Sequence, residues 1–164
     1  MTPKLRTLLI LVGVVLPLDQ LTKLWVATHV SPVAPIQVIP GFFSITHARN
    51  PGAALGLLQN VPVLFFIGLT LLALGLIVSF YRKVDPLDRL SATSLGLVLA
   101  GALGNLIDRV FRGEVVDFLQ FDLGLFIFPD FNVADSAIVI GVGLLLLDIV
   151  VSETEEGVRE ETEP

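Results

Sequence analysis

The chain has 164 residues, 54% of them hydrophobic and only 16% charged, with a mean hydropathy of +0.85. A water-soluble domain carries close to a quarter charged residues, so this composition, with its apolar residues in blocks, marks an integral membrane protein. The absence of cysteine excludes disulfides, thiolate catalysis and cysteine metal sites, and the net charge of −6 owes much to six acids within the final ETEEGVREETEP.

The first apolar segment runs from about Leu5 to Val26. Lys4 and Arg6 before LLILVGVV imitate a secretion signal, but the stretch continues past Pro17 into a helix end bearing Asp19, Gln20 and Lys23, which predicts a retained span. Asp19 and Lys23 stand four apart, the spacing of an ion pair on one helix face. Residues 36–48, IQVIPGFFSITHA, read as two short strands around Pro40-Gly41. RNPGAALGLLQN follows, with Asn60 placed to cap a second span, Val61 to Phe80, that holds Pro62 early and no charge.

After the short YRKVDPLDR connection, a third span covers Leu90 to Ile107 and stops at Asp108 and Arg109. Its LAGALGN run sets Ala100, Gly101, Ala102 and Gly104 close together, and Ala137 and Gly141 repeat the small-residue spacing in the fourth segment; both predict close helix packing. Asn105 and Asp108, three apart, share a face suited to tying this helix to its neighbours. VVDFLQFDLGLFIFPDF carries Phe118, Phe121, Phe126, Phe128 and Phe131, apolar surface suited to the membrane interface. The fourth span, about Val133 to Val151, has Asp135 near one end and Asp148, read as interfacial and inert, near the other. Residues 1–151 thus form one four-span domain, and the acidic residues 152–164 read as a disordered tail.

Four spans place both termini on one side, with Lys4, Arg6, Arg82, Lys83 and Arg89 there against Lys23, Arg49, Arg109 and Arg112 opposite. The positive-inside bias favours cytoplasmic termini, and Trp25 and Tyr81 fall at opposite span ends. Asp19, Lys23, Arg49, Asn50, Asp108, Arg109, Asp117 and Asp135 then gather at the outer rim. Charge at a membrane helix is costly and marks functional candidates, although Arg109 and Arg112 also suit plain contact with lipid headgroups. Two carboxylates held together divide the roles of acid and base, which is the chemistry of peptide hydrolysis by activated water. Asp135 is the natural first member. Asp108, Asp117, Asp122 and Asp19 all remain open as its partner on spacing alone.

DQLTK (19–23), RNPGAALG (49–56), GALGNLIDR (101–109), VVDF (115–118) and FNVADSAI (131–138) occur in that order. Together they resemble the signature blocks of the bacterial type II (lipoprotein) signal peptidases, over all of the chain but its tail. The resemblance implies a metal-free aspartic endopeptidase with no cofactor, cutting diacylglyceryl-prolipoproteins just before the lipid-modified cysteine. It implies an all-α membrane fold of four transmembrane helices, with a small extracytoplasmic β-sheet cradle and an interfacial helix in the Phe-rich segment. The catalytic pair would be Asp117 and Asp135; Asp19, Lys23, Asn50, Gly101, Asn105, Asp108, Arg109, Asn132 and Ala134 would line or brace the site. Leu55 departs from the family's usual Phe. The implied setting is the bacterial inner membrane, with membrane lipids as neighbours, the site facing outward and no need for more than a monomer.

A transporter would place its charges near the midplane, where the second and third spans are clean. A scaffold would survive Asp117→Asn or Asp135→Asn. His29 and His47 lack ligand-like spacing, no HExxH motif suggests a metalloprotease, and no basic cluster suggests nucleic acid.

Overall fold

The computed structural model describes the backbone of residues 1–52 and 61–162 and the side chains of these as far as residue 151. Leu55 and the expected cap Asn60 lie outside the described residues, as do the side chains of the acidic tail.

Helix α1 spans Pro3–His29, α2 Val63–Lys83, α3 Arg89–Phe111 and α4 Val133–Thr162. All four are long and apolar enough to cross a membrane, α4 through its Val133–Val151 portion. They match the four predicted spans, and the first three run two to four residues further at most ends, since caps rather than the last apolar residue set a helix end. Thr2 caps α1 by accepting from the Leu5 amide at 3.4 Å, and Asp88 caps α3 by accepting from Ser91 at 3.0 Å. Pro62 stands at the cap position of α2, just ahead of its first turn.

Helix α3 is the centre of the bundle and packs against the other three, while among the described residues no Cα of α2 comes within 8 Å of one in α4. Its composition explains this. Half of its apolar window is buried, against 11–17% in the others, and its small residues admit neighbours at backbone distance. A Cβ on Gly101 would overlap the carbonyl oxygen of Ala134, and one on Gly141 would lie 2.7 Å from the Ser94 oxygen. Glycine at both positions is what lets α3 and α4 close on each other. Asp148 is not inert: the Ser91 hydroxyl donates to its Oδ2 at 2.6 Å, fastening the far end of α4 to α3.

Strands β1 (Ile36–Ile39), β2 (Phe43–Asn50) and β3 (Val115–Phe121) form an antiparallel sheet in that order. The first two turn at Pro40-Gly41, as read from the sequence. The third corrects the interfacial helix expected of the Phe-rich segment. Residues 115–121 pair with β2 in the register Asn50↔Val115 and Ala48↔Asp117, and residues 122–131 continue as bridged turns. Val115, Val116 and Phe118 favour the extended backbone and are buried, the last two packed with Val26 of α1 and Val30 just after it, which fixes the sheet to one end of the bundle.

Candidate active site

The predicted site residues meet where α1, α3, β3 and the start of α4 converge. Asp117 is buried on β3, and Asp135 is half-buried in the first turn of α4. Asn132 links them. It forms a reciprocal capping pair with Asp135: its Oδ1 accepts from the Asp135 amide at 2.9 Å, while its own amide donates to Asp135 Oδ2 at 3.2 Å. A backbone N–H can only donate, so the amide orientation is fixed and Nδ2 points the other way. There it donates to Asp117 Oδ1 at 2.6 Å. Asn50 Nδ2 donates to the second oxygen of Asp117 at 3.0 Å, and the Gly52 amide holds Asn50 Oδ1 at 2.9 Å. Gly52 has φ of 122°, and a Cβ there would collide with the Phe66 ring, so only glycine completes this turn.

The supporting charges act at one remove. Lys23 is fully buried and reaches Asp19, Asp108 and Asn105 Oδ1, each at 2.9 Å, so all three of its protons are used. Because an ammonium only donates, Lys23 settles the orientation of Asn105, whose Nδ2 then donates to Asp135 Oδ1 at 2.7 Å. Asp19 also accepts from the Ala134 amide at 2.9 Å, which pins the start of α4. Asp108 takes Arg112 as a second cation and accepts from the Val116 amide at 3.4 Å, so it braces β3 rather than joining the acid pair.

Every residue expected at the site except Gly101 belongs to this continuous network, Arg109 only through the Asn105 carbonyl. Gly101 serves the helix contact with Ala134. Arg109 lies over the Phe66 ring at 5.7 Å to its centroid, its Nη1 donates to the Asn105 carbonyl at 3.4 Å, and its buried Nε has no partner among the described residues. Of the other candidate partners for Asp135, Asp122 lies apart in a turn, where it accepts from the Gly124 amide. Arg49 points outward to Glu114, and His47 is bound to the Val30 carbonyl. The sequence reading missed Gln20, which donates to Asp19, Asp108 and the Gly104 carbonyl, and the bond of Arg112 to Asp108. The four-residue spacing of Asp108 and Arg112 was the available signal.

Burial raises the Asp117 carboxyl from its ordinary 3.8 to about 6, with the Asp135 carboxylate pushing the same way and the bonds from Asn50 and Asn132 opposing. Asp135 opens onto a cavity of about 350 Å³, otherwise walled by Phe128, Phe131, Ser136, Val139 and Ile140. One acid biased toward its protonated form and another beside an apolar cavity make an arrangement able to donate and accept a proton at one bound group. Among the described residues, no cluster of three or more His, Asp or Glu could hold a metal ion.

The family model described as "Signal peptidase (SPase) II" matches residues 11–151. A lipoprotein signal peptidase of Syntrophus aciditrophicus is 47% identical, covering 90% of this chain and 94% of its own length. One of Geobacter metallireducens is 46% identical over 95% and 98%. A solved bacterial membrane enzyme superposes with a TM-score of 0.84 at 38% identity, over 91% of this chain and 90% of the other. A second gives 0.79 at 39% identity, over 87% and 92%.

Proposed function

The chain belongs to the signal peptidase II family of aspartic peptidases, and we propose that it removes signal peptides from diacylglyceryl-modified prolipoproteins by the paired action of Asp117 and Asp135. The observation that carries the pairing is Asn132, one side chain bonded to Asp117 and reciprocally to Asp135.

In this reading Asp135 is the base. Its oxygens accept from Asn105 and from the Asn132 amide, in a first helical turn whose dipole favours negative charge. It takes a proton from water as the oxygen attacks the scissile carbonyl. Asp117 enters protonated and gives its proton to the carbonyl oxygen, which leaves a neutral tetrahedral diol. Asp135 then protonates the amide nitrogen of the lipid-bearing cysteine. As the C–N bond breaks, a hydroxyl proton returns to Asp117, and acid and amine depart. Arg109, with a spare buried N–H, is placed to bind a substrate carbonyl.

The basic residues near the N-terminus and in the α2–α3 connection support cytoplasmic termini in a bacterial inner membrane, with the sheet and the acid pair outside. There the pair meets a cleavage site that its own acyl chains hold at the membrane surface, and one chain contains every residue of the mechanism, so a monomer suffices. Purified protein in bilayers should cut a diacylglyceryl-modified prolipoprotein and leave its unmodified precursor intact. Equal cleavage of both, or of neither, overturns the assignment.

A further inference from the structure

Beyond Phe121 the chain makes a tight hairpin with no part in the network around Asp117 and Asp135. Asp122 bridges to Ile127, the Leu123 amide donates to the Phe126 carbonyl at 3.0 Å, and that of Phe128 to Phe121 at 2.8 Å. Gly124, with φ of 77°, makes the turn. From Leu123 to Pro129 no side chain is polar, and Leu125, 97% exposed, is the most exposed large hydrophobic residue described.

The flanking acids turn back onto the protein. Asp122 accepts from the Gly124 amide, and Asp130 from Thr46 at 3.0 Å and Gln120 at 2.8 Å. The tip therefore offers apolar side chains, with the Leu123 and Gly124 amides bonded within the hairpin and those of Leu125 and Phe126, which have no partner among the described residues, left for the polar interface of the bilayer.

Its position supplies the partner. Phe128 and Phe131 share a cavity wall with Val139 and Ile140 of α4. Those two stand six and seven residues after Val133, about 9–10.5 Å along the helix at its usual rise, and are 70% and 55% exposed on a helix suited to span the membrane. The base of the hairpin thus lies beside helix surface that faces acyl chains, and the tip continues that surface outward. We propose that Leu123 to Phe126 insert into the leaflet on the sheet side of the membrane, with lipid acyl chains as their partner. Ring contacts from Phe128 through Phe131 to Phe121, 5.8 and 6.0 Å between centroids, join this hairpin to the strand that carries Asp117, and Phe121 stacks in turn on Phe43 of β2 at 4.8 Å.

The test uses the full chain in liposomes with its single tryptophan moved, Trp25→Phe with Leu125→Trp, and Trp25→Phe with Phe126→Trp as a second reporter. The expected result is blue-shifted emission that brominated phosphatidylcholine quenches and aqueous iodide does not. Water-like emission quenched by iodide overturns the proposal. So does blue-shifted emission that neither agent quenches, which would place the tip against protein. None of these outcomes depends on the peptidase reading.

Discussion

Asn132 Nδ2 lies 2.6 Å from Asp117 Oδ1, while the rest of the same residue is committed to Asp135. The position of one acid is thereby tied to that of the other through a single rigid amide. The carrier is the N-terminal cap of α4, so the local rule that starts the helix also aims its acid.

Asn132→Ala removes the bridge and leaves a buried carboxyl short of a donor. The cost of an unsatisfied buried group is about 1–3 kcal/mol, which corresponds to roughly 5- to 150-fold in rate. The loss should fall mainly on kcat, as steady-state cleavage kinetics would show. An unchanged kcat would remove Asn132 from the positioning role.

Lys23→Met leaves Asp19 and Asp108 facing each other in a fully buried site. Removing one partner of such a pair costs about 3–5 kcal/mol, so the thermal unfolding midpoint in detergent should fall well below that of wild type. Adding Asp19→Asn should restore part of the loss, because it removes one uncompensated charge.

Gly101→Ala drives a methyl into the Ala134 carbonyl at the α3–α4 contact. Overpacking of this kind costs about 1–3 kcal/mol and would shift the start of α4, moving Asp135 relative to Asn105. Both melting temperature and cleavage rate should fall, whereas Gly143→Ala, with nothing near its Cβ position, should leave both unchanged.

The raised Asp117 pKa sets a pH dependence. Below 3.8 both folded and unfolded chains hold the proton and its stabilising contribution is complete. Between 3.8 and about 6 the folded state keeps a proton that the unfolded state has lost, so this contribution falls as pH rises and is gone above about 6. Unfolding followed against pH should show that decline in wild type and not in Asp117→Asn. Cleavage by wild type should lose activity on the alkaline side as Asp117 ionises, and unfolding of Asp135→Asn, which lacks the neighbouring charge, should show the Asp117 titration at lower pH.

The spans were legible because the second and third each hold a long stretch without charge, residues 61–80 and 90–107, and the Asp19–Lys23 pair because helical periodicity alone brings residues four apart together. Strand β3 was not. Its partner β2 lies more than sixty residues earlier, and Val115 to Phe118 are buried without a break, so no alternation betrays a strand. The same burial makes a Phe-rich run resemble an interfacial helix. Asp117 and Asp135 could be paired only through the five signature blocks, since the contact that joins them is a fold-level event at Asn132. The N-x-x-D spacing of Asn132 and Asp135, a helix-start signal, went unread.

The most direct test of the account compares cleavage of a diacylglyceryl-modified prolipoprotein by wild type, Asp117→Asn and Asp135→Asn, with chelator present and folding checked by thermal unfolding. The account predicts that wild type cuts and that neither folded variant does. A folded variant cutting at a rate near wild type would contradict the assignment of Asp117 and Asp135 as the catalytic pair.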